Sequence, residues 1–226
     1  MADLFLLETS GLQPVFDRFL PDVEPERRDA LIQSGPTRTA LCRLGAGLLV
    51  RTVLARYWGR NGIQRTESGQ PYLPGAPFFS ISHSGSYVLL GVSEMPVGVD
   101  IQEKRPVASL SLASRFFHPE ETKKIRSSPD PDSVFFSIWT AKESYVKAES
   151  LGFSLPFSSF CLIPDPSSVF TVQVPSGSPY RVVSLSVPEH YSGAVCSQDS
   201  FPNPFPETCL CNSKAPFGID APPCRI

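Results

Sequence analysis

No stretch of the chain reaches the roughly eighteen consecutive apolar residues that a membrane-crossing helix requires, so no span is expected. Positive charge is not in excess either. The 20 Lys and Arg stand against 22 Asp and Glu, a formal net charge of −2, so the broad basic footprint of a nucleic-acid binder is missing. A small anion held by a few local cations stays open. The amino terminus, Met1 to Glu8, carries acids and only a short apolar run, which makes a poor secretion signal. A cytoplasmic location is therefore expected. Paired cysteine spacing is also lacking. Of Cys42, Cys161, Cys196, Cys209, Cys211 and Cys224, only Cys209-Leu-Cys211 are close, and this excludes the usual zinc patterns. Reduced thiols are expected, with no required disulfide.

What the chain does have is core material. Its 226 residues are 41% hydrophobic, and the 16 Phe dominate the aromatics. That suits one large domain or two small ones. Leu4 to Leu7 reads as a strand, and Pro25 to Arg28 opens a helix. Arg38 to Tyr57 repeats apolar residues at helical spacing, with Gly59 as its stop. Strands at Phe78–Ser82 and Tyr87–Ser93 flank a loop, His83-Ser-Gly-Ser86, and Val97 to Ile101 forms another. Leu110 to Phe117 and the stretch from His118 read as helices. Phe135 to Glu149 reads as a strong helix ended by Gly152. Strands follow at 160–163, 170–174, 181–187 and 193–197. The order predicts an α+β chain in two similar halves, 1–95 and 96–197, with an irregular Pro- and Cys-rich tail over 198–226.

Three clusters carry chemistry. In Val97-Gly-Val-Asp-Ile-Gln102, a carboxylate sits in a β-branched run, where a buried acid must be paired or bind a metal. Asp100 and Gln102 are two apart and share one strand face, whereas Glu103 points to the other. In Trp139-Thr-Ala-Lys-Glu-Ser-Tyr-Val-Lys147, Glu143 and Lys147 are four apart and face the same way. Such a pair holds a metal and an anionic oxygen together, or else is an ordinary surface ion pair. In Ser80-Ile-Ser-His-Ser-Gly85, a histidine ringed by hydroxyls in a tight turn suits a phosphate, or simply closes the turn.

Together these clusters resemble the Sfp-type 4′-phosphopantetheinyl transferases. The family pattern is Gly-Lys-Pro, Ser-His-Ser, Gly-Ile-Asp-Ile-Glu and Trp-x-x-Lys-Glu-Ser/Ala-x-x-Lys. Here it reads Gly69-Gln-Pro71, Ser82-His-Ser84, Gly98-Val-Asp-Ile-Gln102 and Trp139 to Lys147, followed by Gly152-Phe-Ser-Leu-Pro156. The resemblance spans roughly Pro25 to Cys196. Gln70 and Gln102 depart from it, standing where members usually carry Lys and Glu. The resemblance implies a pseudo-twofold monomer of two α/β subdomains with coenzyme A in the cleft between them. It implies Mg²⁺, with Mn²⁺ as the alternative, at Asp100, Gln102 and Glu143, the amide of Gln102 acting through water. Phosphate contacts fall to His83, Ser82, Lys142 and Lys147. Gly69, Gln70 and Pro71 line the adenine, and Arg27 and Arg43 reach the 3′-phosphate. Glu143 and Lys147 are the implied catalytic pair. The substrate is an apo acyl or peptidyl carrier protein, with Leu110, Leu112, Phe116 and Phe117 offered as its docking surface. Neither nucleic acid nor a membrane is an expected partner. A non-catalytic coenzyme A-binding module and a metal-dependent phosphoesterase on Asp100 and Glu143 are the competing readings.

Overall fold

The computed structural model describes residues 2–23, 25–57, 62–67, 69–150, 155–165, 169–173, 178–199 and 210–211. Strand β1 (Asp3–Glu8) is followed by short helix α1 (Phe16–Phe19), α2 (Pro25–Ser34) and α3 (Arg38–Val53). The Thr37 side chain accepts a hydrogen bond from the Ala40 amide and so caps α3. Two short strands, β2 (Gln64–Arg65) and β3 (Pro71–Tyr72), precede β4 (Phe78–Ser84), β5 (Tyr87–Ser93) and β6 (Val97–Glu103). Then come α4 (Ser109–Phe116), α5 (Pro119–Arg126) and α6 (Pro131–Ala148), and strands β7 (Cys161–Pro164), β8 (Val169–Gln173), β9 (Arg181–Ser184), β10 (Tyr191–Ser197) and β11 (Leu210–Cys211).

One sheet has the order β11-β1-β5-β4 and a second β6-β10-β9-β8-β7. Helix α3 packs its buried Leu49 and Val50 with Phe5, Val88 and Leu90 of the first sheet. Helix α6 covers the second sheet through Phe135, Ile138, Ala141 and Tyr145, packed with Leu162, Val182 and Ala194. The mixed helices and sheets make an α+β fold. Among the described residues, no helix is long and apolar enough to cross a membrane.

The edge strands β4 and β6 meet without a backbone ladder. Three alternating serines join them instead. Ser80, Ser82 and Ser84 fall on one face because a strand repeats every two residues. Their hydroxyl oxygens accept the amides of Val99, Ile101 and Glu103 at 3.1, 3.3 and 2.9 Å. An unpaired strand edge would otherwise leave those amides without partners. Arg38 adds a second tie, its Nη1 lying 3.0 Å from Glu103 Oε2.

Three local expectations change. The hairpin turn takes only Gly85 and Ser86, with Gly85 at φ +59°, so His83 pairs with Val88 inside β4 and is not a turn residue. The α-helical part of 38–57 ends at Val53, and a 3₁₀ turn covers Ala55–Tyr57. Helix α6 ends through Ser150 in the left-handed region, φ +57°, before Gly152 is reached. Gly59 and Gly152 lie outside the described residues, as do Cys209 and Cys224.

Candidate active site

A cleft of about 650 Å³ opens beside the seam. Gly69, Gln70, Pro71 and Ser80 line one side, Glu143 and Lys147 of α6 the other, and Phe116, Trp139 and Phe157 its apolar end. Behind the lining residue Lys147, Asp100 is 2% exposed. The Ser82 hydroxyl donates to Asp100 Oδ1 at 2.6 Å, and the Lys147 ammonium lies 2.8 Å from the same oxygen. Lys147 also donates to the Val99 carbonyl at 3.1 Å. The buried charge is thus paired and hydrogen-bonded, as burial demands. Gln102 shares that face, as the alternation predicts. Its amide nitrogen is 3.5 Å from Asp100 Oδ2, and its oxygen accepts from Ser84 at 3.3 Å. Glu103 points away and pairs with Arg38, whose hydrogen bonds hold its carboxyl below the usual carboxylate range.

Glu143 lies one turn before Lys147 on the same face of α6 and is half-buried. Its carboxyl is pushed above the ordinary range, first by burial and then by the charge of Asp100, with Lys147 pulling the other way. It accepts no hydrogen bond among the described residues. Two oxygen donors of like charge, one of them unpartnered, suit a hard divalent cation such as Mg²⁺. Among the described residues no cluster of three His, Cys, Asp or Glu is present, so such a cation would have two protein carboxylates and an amide nearby.

His83 projects outward from β4 among cations. Desolvation in its crowded position, followed by Arg43, Lys147 and Arg27, lowers its pKa from the ordinary value. Arg27 Nη1 donates to the Arg43 carbonyl at 3.0 Å, which sets the two arginines side by side on α2 and α3. The structure therefore gathers Arg27, Arg43, His83 and Lys147 into one basic group. The Gln70 side chain donates to the Lys147 carbonyl at 2.8 Å, so it ties the 69–71 segment to α6.

Three expected placements are corrected. Lys142 is 0% exposed and pairs with Glu121 at 2.8 Å, on the side of α6 away from Glu143. Adjacent residues on a helix diverge by about 100°, so Lys142 and Glu143 cannot share the cleft. Ser82 is buried, with its hydroxyl spent on Asp100 and the Ile101 amide; it orients the carboxylate and does not face a ligand. Phe117, offered as docking surface, is core, whereas Leu110 and Phe116 are exposed. Sequence reasoning missed Glu121, whose signal was its place as the third residue after His118 in a capping box. It also missed the role of the Ser80-x-Ser-x-Ser84 alternation.

Residues 96–196 match the 4′-phosphopantetheinyl transferase superfamily. The 4′-phosphopantetheinyl transferase Sfp of Bacillus subtilis (strain 168) is 32% identical over 190 residues, covering 80% of this chain and 84% of that protein. Another 4′-phosphopantetheinyl transferase of Bacillus subtilis is 31% identical with the same coverage. The 4′-phosphopantetheinyl transferase gsp of Aneurinibacillus migulanus is 30% identical, covering 81% of this chain and 78% of that one.

Proposed function

Because this chain belongs to the Sfp-type 4′-phosphopantetheinyl transferases, which move phosphopantetheine from coenzyme A to a carrier-protein serine, we propose that its cleft holds coenzyme A for that transfer. The observation that carries the assignment is the acid pair at the cleft: Asp100, fixed by Ser82 and by Lys147 of the lining, acts by its charge on Glu143, which accepts no hydrogen bond among the described residues. The basic group of Arg27, Arg43, His83 and Lys147 takes the phosphates, with the two arginines at the 3′-phosphate. Gly69, Gln70 and Pro71 border the adenine, and the pantetheine arm runs toward Trp139 and Phe157. Asp100 and Glu143 would hold Mg²⁺, or Mn²⁺, with Gln102 acting through water; such an ion would neutralise charge on the pyrophosphate oxygens.

In the reaction the carrier serine oxygen bonds to the phosphorus bearing pantetheine, and the bond from that phosphorus to 3′,5′-ADP breaks. Glu143 accepts the serine proton, directly or through water. Its raised basicity suits it to this role, which typically contributes about 10²–10⁴-fold. The Lys147 ammonium lies where negative charge grows on the leaving phosphate. The two subdomains, 1–95 and 96–197, act as one monomer in the cytoplasm. The exposed Leu110 and Phe116 of α4, of which Phe116 lines the cleft, receive the acyl or peptidyl carrier protein. Incubation with coenzyme A, Mg²⁺ and an apo carrier tests the assignment by mass spectrometry. The expected result is a phosphopantetheinylated serine and free 3′,5′-ADP. Coenzyme A bound but unreacted, or hydrolysed without modifying the carrier, would overturn it.

His83 gives this reading a pH signature. Its folded pKa is lowered in the free protein, so the ring is mostly neutral at pH 7. A bound phosphate favours the protonated ring and raises that pKa, so binding takes up a proton and strengthens as pH falls. Relative to His83→Gln, the wild-type affinity for 3′,5′-ADP is expected to rise several-fold, to about tenfold at most, between pH 7.5 and 5.5. Calorimetric titration of both proteins across that range checks it. Parallel pH slopes would remove His83 from the phosphate site.

A further inference from the structure

We propose that the buried Lys142–Glu121 pair is a strut that fixes the Leu155–Ser158 wall of the cleft against α6, so that Lys142 positions the pantetheine arm relative to Glu143. This rests on the placement of coenzyme A proposed above.

The ammonium of Lys142 has three protons and three partners. It lies 2.8 Å from Glu121 Oε1, 2.7 Å from the Phe157 carbonyl and 2.8 Å from the Phe160 carbonyl. Its donors are therefore fully spent inside the protein. Glu121 is equally committed. Oε1 also accepts the Leu162 amide at 2.6 Å, and Oε2 accepts the His118 amide at 2.9 Å. Two side chains thus join the start of α5, the middle of α6, the start of β7 and the segment just before it. Aromatic rings close the site. Phe160 stacks on the ammonium at 3.9 Å, and Phe117 and Phe157 lie at 5.7 and 5.8 Å.

The segment held in this way is a wall of the cleft. Leu155, Pro156, Phe157 and Ser158 all line it. Phe157 and Phe160 offer their carbonyls from a 3₁₀ turn and its extended cap, outside any strand ladder. Lys142 precedes Glu143 on α6, so one helical turn sends the carboxylate into the cleft and the ammonium behind its wall. A buried ion pair adds little net stability compared with apolar side chains of similar volume. What this one adds is a defined distance between the helix that carries Glu143 and the wall that faces it. Burial pushes the Glu121 carboxyl up and the Lys142 ammonium down, and each partner pulls the other back.

The double variant Glu121→Gln/Lys142→Met removes both charges together and leaves no lone buried ion, so it separates wall position from charge burial. The expected result, in protein shown to be folded by circular dichroism, is a KM for coenzyme A raised about tenfold, while the Ki for 3′,5′-ADP, which lacks the arm, stays within about twofold. Unchanged KM, or KM and Ki rising together, would overturn the strut. Should the double variant not fold, Lys142→Arg keeps the charge beside Glu121 but alters the reach to the two carbonyls, and the same split is read there. If the wild-type protein fails to modify any carrier, the proposed function falls instead. The strut is then read from Trp139, whose ring lies 5.6 Å from that of Phe157. In a Trp58→Phe background its fluorescence is expected to become more accessible to acrylamide in the variant, and unaltered quenching would again overturn it.

Discussion

Asp100→Ala is expected to lower the rate of carrier modification on the order of 10³-fold while leaving the protein folded. The carboxylate is the most constrained group of the site, with Ser82 and Lys147 both on Oδ1 and the side chain 2% exposed. Its loss removes one of the two acids available to a divalent cation and frees Lys147, a residue of the cleft lining, from its hold. The fold survives because Lys147 is 27% exposed and can reach solvent, so no buried charge is stranded. Gln102→Ala should cost far less, about tenfold or below, because phosphate-bound Mg²⁺ needs only one or two carboxylates. Gln102→Glu adds a charge beside Asp100 and should keep activity while tightening metal binding. Transfer rates across a Mg²⁺ series, with Mn²⁺ affinity of the coenzyme-free proteins measured in parallel, check all three. If Gln102→Ala is as inactive as Asp100→Ala, the amide is a necessary direct ligand and the two-carboxylate site is wrong.

The parts of this site that were legible in the sequence are those set by local periodicity. A two-residue strand repeat puts Asp100 and Gln102 together and sends Glu103 to Arg38; a four-residue helix step puts Glu143 beside Lys147. The α+β class and most elements followed from the same periodicities. What was not legible depends on long-range partners. Lys142 reads as a ligand contact in its motif, and only the position of Glu121, Phe157 and Phe160 shows that its donors are spent. The serines of β4 read as a phosphate turn because nothing local reveals that β6 lies alongside with unpaired amides. Strand order is hidden for the same reason. β1 lies beside β5, and the seam brings β4 to β6, pairings fixed by packing across the whole chain.

Gly98→Ala is expected to cost more stability than any other single-methyl change at this site. Strand β6 runs under α6 so closely that a Cβ at Gly98 would overlap the Ser144 carbonyl oxygen and meet the Ala148 amide nitrogen at 2.5 Å and Lys147 Cβ at 3.0 Å. Two of those neighbours are helix backbone, which cannot swing aside as a side chain can. The strand or the helix must move as a unit, although α6 is also packed on Ala194 and Leu162 of the same sheet, and Val99 and Ile101 of β6 are packed with Val195. Overpacking of that kind costs upward of about 3 kcal/mol when the backbone must yield. For a chain of this length that corresponds to a drop in Tm of roughly 6–12 °C. Gly193→Ala on the neighbouring strand β10 is the control. There the added methyl meets Val187 Cγ1 at 2.9 Å, the end of a side chain that can shift, so its Tm should fall by only a few degrees at most, about a third of that drop. Activity should follow the same contrast. Asp100 lies two residues beyond Gly98 and reaches Lys147 only because strand and helix are in contact, so any lift between them lengthens the 2.8 Å Asp100–Lys147 pair. Thermal melts and transfer rates of the two variants decide the matter. Equal melting of Gly98→Ala and Gly193→Ala would mean that the close approach of β6 to α6 does not set the geometry of the site.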